Sequence, residues 1–345
     1  MAKGRREIAS LGEFGLIDHL TADFKSECKS TIKGVGDDAA VIEASRDKAI
    51  VVSTDSMLEG IDFDLTYFPP KHLGYKAVTK GISDIVAMNA TPEQVTIALG
   101  VSSKISVEFL EDFYAGVKFA CHEAGVDMVG GDTSASMTGL IINITAIGRA
   151  KKSDITYRSG AKEHDLICIT GNLGASYMGL RLLERERYVL SDVAKPEPKF
   201  DGYEFLLERY LKPRARYDML QSFADAKIIP TSMIDITDGL ASEVLQICKS
   251  SNCGARIYLE RIPLAKQTNA LADEMNINSV VAALNGGEDY ELLFTLPLER
   301  REDIIKLGCI DIIGHITKPE IGAYLITPDG QEIALQAQGF TKREE

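Results

Sequence analysis

Aspartate recurs in this chain directly after short apolar or glycine-rich runs. The segments are Gly36-Asp37-Asp38, Val51-Val-Ser53-Thr54-Asp55, Met128-Val-Gly-Gly131-Asp132 and Ile234-Asp235-Ile-Thr237-Asp238-Gly239. A further carboxylate, Asp84, stands between Ile82 and Ile85 in an apolar helical stretch, where a buried charge needs a partner. Aspartates at strand ends can converge in the crevice where open α/β sheets bind ligands. Two like charges 4 Å apart repel by ~4 kcal/mol at an effective dielectric of ~20, so converging carboxylates require cations or protons. Asp oxygens with Ser and Thr hydroxyls, and no His or Cys beside them, are hard ligands that select Mg²⁺, Mn²⁺ or Ca²⁺. Mg²⁺ in turn is commonly held by few carboxylates together with substrate phosphates. As a set, these segments point to a metal-nucleotide site.

Taken one at a time they have plainer readings. Aspartate after a strand is commonly a turn or N-cap residue, and Asp238-Gly239 fits a turn or the cap of a following helix. Gly171-Asn-Leu-Gly174-Ala-Ser176 is either an anion-receiving helix start or a tight turn. Asn285-Gly-Gly-Glu-Asp-Tyr-Glu-Leu292 could line a pocket for a cationic ligand or form a bare hairpin turn. Arg158 suits phosphate oxygens or an interdomain salt bridge equally. There is no GxxxxGK[ST], no GxGxxG opening a helix, no HRD or DFG element and no GxSxG elbow, and the five histidines are dispersed.

The elements that must carry these residues alternate between strand and helix patterns. Ala49–Ser53, Gln94–Val101, Asp127–Val129 and Leu140–Gly148 read as strands. Lys71–Met88 reads as an amphipathic helix stopped by Asn89-Ala-Thr-Pro92, and Val107–Ala124 as a second, ended by Gly125. Charge density rises and apolar periodicity lapses over Ala150–His164, which places a domain boundary there. Beyond it come strand Asp165–Thr170, a helix through Arg185, a surface connection at Lys195–Lys199 and helices at Tyr203–Tyr210 and Tyr217–Ala226. Strand Ser232–Ile236, helix Gly239–Ser250 and strands Ala255–Leu259 and Tyr290–Leu296 follow. This order predicts two mixed domains, residues 1–150 (α+β) and 151–345 (α/β).

Composition agrees. The 345 residues suit two domains on a soft prior of roughly 150 residues each. With 51 acidic and 38 basic residues the net charge is −13, which disfavours general nucleic-acid binding. No apolar run approaches the ~20 residues that span a bilayer. The first ten residues lack the apolar segment of a secretory signal, and the six scattered cysteines read as buried reduced thiols. A cytoplasmic protein is expected.

In order, Gly12-Glu-Phe-Gly-Leu-Ile17, Gly34-Val-Gly-Asp-Asp-Ala-Ala40, Ser53-Thr-Asp55, Ser83-Asp84, Gly130-Gly-Asp-Thr133, Arg158-Ser-Gly-Ala-Lys162, Asp235-Ile-Thr-Asp-Gly-Leu240 and Gly286-Gly-Glu-Asp-Tyr-Glu-Leu292 resemble the thiamine-monophosphate kinase family. That family lies within the aminoimidazole ribonucleotide synthetase-like superfamily. The resemblance implies an N-terminal ATP- and metal-binding α+β domain whose sheet pairs across a homodimer, and a C-terminal α/β domain. It implies transfer of the γ-phosphoryl of ATP to thiamine monophosphate, giving thiamine diphosphate and ADP, with several Mg²⁺ ions. Metal positions implied by the resemblance are Asp38, Ser53, Thr54, Asp55, Asp84, Asp132, Asp235 and Asp238, with Asp55 and Asp132 central to metal-assisted transfer and no protein nucleophile. Gly131, Asp132, Arg158 and Thr237 correspond to ATP contacts, and Asp62, Glu288 and Phe340 to substrate contacts. Asp62 stands where many relatives have His, and Phe340 where Tyr or Trp is common. Competing readings are a sister ATP-dependent synthetase of the superfamily and a non-catalytic divalent-metal-binding protein.

Overall fold

The computed structural model describes residues 12–23, 27–190 and 197–337. Phe340 lies outside them, as do the first eleven residues. After helix α1 (Gly12–Thr21), the first half builds strands β1 (Thr31–Lys33), β2 (Ala40–Glu43), β3 (Lys48–Leu58), β4 (Thr91–Val101), β5 (Asp127–Ala135) and β6 (Ile141–Lys151). They form a six-stranded sheet in the order β1-β2-β3-β6-β4-β5. β3 pairs antiparallel with β6 from Lys48↔Lys151 to Leu58↔Ile141, and β5 runs parallel to β4 at the edge.

Helices α2 (Pro70–Ala87) and α3 (Val107–Ala124) cover one face of this sheet. Period-2 alternation puts Val51 and Met57 of β3 on that face, with Leu73 and Ala77 of α2 and Phe113 and Val117 of α3 in the same core. Glycine sets the helix spacing. A Cβ on Gly74 would lie 2.0 Å from the Phe113 carbonyl oxygen, and one on Gly116 would lie 1.8 Å from that of Lys71. The other face is open: Thr54, Ser56 and Leu58 are exposed, Val52, Asn143, Thr145 and Ile147 half-exposed.

The second half contains strands β7 (Leu166–Thr170), β8 (Ser232–Asp235), β9 (Gly254–Tyr258), β10 (Leu292–Leu296), β11 (Ile310–Thr317), β12 (Ala323–Ile326) and β13 (Glu332–Ala334). Their order is β13-β12-β9-β11-β7-β10-β8, mixed because β12 joins β9 in parallel. The accompanying helices are α4 (Ala175–Leu190), α5 (Glu204–Leu211), α6 (Asp218–Asp225), α7 (Leu240–Ser251), α8 (Lys266–Glu274), α9 (Ser279–Asn285) and α10 (Arg301–Leu307). Val86 and Ala87, at the end of α2, pack with Met219, Phe223, Met233 and Leu292. Helix α2 is therefore wedged between the two sheets and shared by both cores.

Two strand readings need correcting. β3 continues to Leu58 and β5 to Ala135, so Asp55 and Asp132 lie inside strands, not at their ends. Pro92 belongs to β4; a bulge between Pro92 and Gln94 absorbs its missing N–H. All six cysteines are free; Cys121, Cys168 and Cys248 are buried as expected, whereas Cys28 and Cys309 are exposed.

Candidate active site

A cleft of about 750 Å³ opens at the seam between the two sheets. The loop before β2 places Asp38 there, β3 places Ser53 and Asp55, and α2 places Asp84. From the second half come Arg158, Thr237, Asp238 and Glu288. Carboxylate oxygens of Asp38, Asp84 and Asp235 all lie within 4.8 Å of one another. Ser53 donates its hydroxyl to Asp84, and Ser83 donates to Asp235. Thr54 also borders the cleft, but its hydroxyl is engaged across the sheet with Thr145 at 3.0 Å and the Ile144 carbonyl at 3.2 Å.

The electrostatics follow from burial. Desolvation, partly offset by Arg158, pushes Asp38 up to about 7, and Asp235 is raised to about 6, again by burial first. Asp84 is raised well above the carboxylate range by burial and then by Asp235, Asp55 and Asp38. Buried Oδ2 atoms of Asp38 and Asp55 have no hydrogen-bond partner, and that of Asp37 meets Lys33 Nζ only at 3.5 Å. An all-oxygen donor set with orphaned buried lone pairs fits a hard divalent cation.

Arg158 bridges the halves. Its Nε donates to Asp38 Oδ1 at 2.8 Å, Nη2 donates to the same oxygen, and its backbone N–H donates to Asp37 at 3.0 Å. The salt-bridge reading of Arg158 is thus realised, with the guanidinium still at the rim of the cleft. Asp238 does not cap α7. Glu243 reaches back instead, accepting from the N–H groups of Thr237 at 3.3 Å and Asp238 at 2.9 Å. This leaves the Asp238 carboxylate facing the cleft.

The Gly286-Gly287 pair is not a bare hairpin turn. It links α9 to β10, and a Cβ on Gly287 (φ 72°) would sit 2.3 Å from the Thr237 carbonyl oxygen. Close approach lets Glu288 N–H donate to that oxygen at 2.8 Å, fixing Glu288 beside Thr237 and Asp238. The turn at Gly171–Gly174 likewise receives no external anion: Asp289 accepts from Gly174 N–H at 2.8 Å and fills the start of α4 itself.

Sequence reasoning passed over Lys76 and Lys80. Lys76 is fully buried, with Nζ 2.6 Å from Glu288 and 4.1 Å from the Tyr210 ring centroid. Lys80 Nζ lies 3.6 Å from Asp62; burial opposes its charge, but Asp62, Asp55, Glu288 and Asp84 together hold it above its ordinary value. The signal was available, since positions 76, 80 and 84 put three charges on one face of an otherwise apolar helix.

Gly131 and Asp132 stand apart from the other predicted site residues. Ladder partners run Gly131↔Ile97, Ile97↔Ile144 and Ile144↔Asp55, which places them three strands from Asp55, about 14 Å across the sheet. All nine residues of β5 are exposed.

Comparison with known proteins accords with this arrangement. Residues 36–150 match the N-terminal domain of AIR synthase related proteins, and residues 162–325 the C-terminal domain. The thiamine-monophosphate kinase of Buchnera aphidicola subsp. Schizaphis graminum is 34% identical over 337 residues, 95% of this chain and 98% of that protein. That of Aquifex aeolicus is 33% identical, covering 88% of this chain and 93% of its own. The solved structure "AaThiL complexed with AMPPCP and TMP" superposes with a TM-score of 0.82 at 29% identity, covering 98% of this chain and all of that one. Matched in both halves and along nearly its whole length, the chain belongs to the thiamine-monophosphate kinase family of AIR synthase related proteins.

Proposed function

We propose that this chain transfers the γ-phosphoryl group of ATP to thiamine monophosphate, giving thiamine diphosphate and ADP. The observation that carries the reading is the Asp38–Asp84–Asp235 cluster, with Asp38 Oδ2 and the neighbouring Asp55 Oδ2 unpartnered, at a cleft that Arg158 and Glu288 also wall. Asp38, Ser53, Asp55, Asp84, Asp235 and Asp238 would hold Mg²⁺, which supplies neutralisation of crowded phosphates. The acceptor phosphate oxygen is already anionic at neutral pH, so no strong general base is required. Arg158 offers planar donors to ATP phosphate oxygens, with Thr237 beside it. Glu288, locked by Lys76, faces the cleft as a carboxylate suited to the cationic thiamine end. The in-line transfer therefore needs alignment more than proton transfer.

The same reading makes the molecule a cytoplasmic homodimer. The open face of the first sheet and the exposed edge strand β5 form the docking surface, and the partner subunit's Asp132 and Gly131 complete the ATP end of the site. Residues 1–150 then dimerise and supply most of the metal ligands, and residues 151–345 supply Asp235 and Asp238. No helix among the described residues is long and apolar enough to cross a membrane.

The test is incubation with ATP, Mg²⁺ and thiamine monophosphate, with product detection. Thiamine diphosphate formed in step with ADP is expected. Free phosphate alone would make the chain a hydrolase, and metal-raised melting without ATP consumption would make it a binding protein.

A further inference from the structure

Three charged residues spaced four apart on α2 share one face of the helix: Lys76, Lys80 and Asp84. The outer two are committed. Lys76 is enclosed between Phe68 and Tyr210 and paired with Glu288, whereas Asp84 belongs to the acidic cluster. Lys80 lies between them and lines the cleft, with a side chain 20% exposed. Its nearest carboxylate oxygen, Asp62 Oδ1, is 3.6 Å away, beyond hydrogen-bond length. The other Asp62 oxygen accepts from Leu58 N–H at 2.8 Å, so Asp62 is held by its own turn.

A purely structural counter-ion would close on its partner, as Lys76 does on Glu288 at 2.6 Å. Lys80 instead keeps its ammonium donors toward the cleft, midway between the acidic cluster and the Glu288 pocket. A lysine ammonium is a compact point charge with three rotatable donors, a form suited to phosphate. The acidic surroundings keep it charged and leave it short of hydrogen-bond acceptors, which a bound phosphate would supply.

We infer that Lys80 grips the phosphate monoester of the acceptor and sets it beside the acidic cluster, an assignment that rests on the kinase reading above. Asp62 then acts through Lys80 as a positioning residue, fixing where the ammonium points. The ligand class is a phosphate monoester attached to a cationic organic group. ATP is the other source of phosphate, and it is assigned to the Arg158 end.

The experiment compares wild type, Lys80→Met and Lys80→Arg in calorimetric titrations with thiamine monophosphate and with unphosphorylated thiamine, both with Mg²⁺ present. Lys80→Met should weaken thiamine monophosphate binding roughly tenfold to a hundredfold, the worth of a charge-assisted hydrogen bond. Thiamine affinity and the KM for ATP should stay within about twofold, and Lys80→Arg should keep part of the preference for the phosphorylated ligand. Equal loss for both ligands, a raised KM for ATP in place of the acceptor effect, or no change in either would overturn the assignment. So would a wild-type chain that binds the two ligands equally. A wild-type chain that prefers thiamine monophosphate but makes no thiamine diphosphate would remove the kinase reading, and the Lys80 assignment would then be judged by the binding difference alone.

Discussion

Arg158 and Asp38 join the two halves of the molecule at the rim of the cleft, Nε to Oδ1 at 2.8 Å, with the Asp38 side chain only 1% exposed. One carboxylate oxygen is spent on the guanidinium and the other has no partner. Arg158→Gln therefore leaves a nearly buried charge uncompensated, which costs about 3 kcal/mol when the other member of the pair is removed. Chemical unfolding in EDTA should show that loss, and adding Mg²⁺ should reduce it, because a cation at Asp38 replaces the missing charge. Equal destabilisation with and without Mg²⁺ would place Asp38 outside the metal site.

The raised carboxylates make stability depend on pH with a definite sign. Burial holds Asp38 at about 7 and Asp235 at about 6 in the fold, above the ordinary value of 3.8. The fold binds these protons more tightly than the unfolded chain does. Their contribution is complete below about pH 4 and is lost as pH rises through 6 to 7. Melting temperature in EDTA should fall across that window, and saturating Mg²⁺ should flatten the profile. Mg²⁺ affinity should rise over the same range, with protons released on binding. An EDTA profile that is level from pH 5 to 8 would refute this account.

Glu288 is held by a lysine that has no other carboxylate within ion-pair distance among the described residues. Glu288→Gln should cost about 3 kcal/mol of stability, since it strands the fully buried Lys76 ammonium. Lys76→Met added to Glu288→Gln should recover much of that loss, because two apolar or neutral groups no longer carry a buried charge. Urea unfolding of the two single variants and the double variant measures the coupling; additive losses would mean that the pair is not coupled.

Gly287 has φ 72°, and an added Cβ would lie 2.3 Å from the backbone oxygen of Thr237. Gly287→Ala should lower stability by about 1 kcal/mol or more and push Glu288 away from Thr237. Turnover should fall through a raised KM for thiamine monophosphate, read from initial rates at saturating ATP. An unchanged KM would show that the loop relaxes without moving Glu288.

The long helices were legible because each carries its own signal. Val107–Ala124 has Ser106 accepting from Phe109 N–H and Gly125 in the left-handed conformation at its end. Helix α2 likewise shows its apolar face. The short strands β1, β2, β12 and β13 were not foreseen, nor was the longer β11; three- and four-residue segments such as Glu332–Ala334 depend on ladder partners rather than on their own pattern. At the site, Asp84 could be singled out because a carboxylate among isoleucines needs a partner. The ion pairs of Lys76 and Lys80 could not, because Glu288 reaches Lys76 only after the halves dock and Asp62 reaches Lys80 only once the turn after β3 folds back against α2. Strand register, which no local motif encodes, is what separates Asp132 from Asp55.

That separation predicts complementation between subunits. Asp55 and Asp132 cannot serve one cleft within one chain when β6 and β4 lie between their strands, so the partner subunit's Asp132 must complete each site if both residues are essential. Asp55→Asn and Asp132→Asn should each abolish turnover while keeping the melting temperature in Mg²⁺ close to wild type. When the two inactive variants are mixed and allowed to exchange subunits, half of the dimers carry one member of each. Each mixed dimer then has one site with both aspartates intact, so about a quarter of wild-type activity should return. Light scattering should show a dimer throughout. Mixtures that stay inactive although subunits exchange would confine the chemistry to single chains, and Asp132 would then owe its importance to the interface rather than to the phosphates.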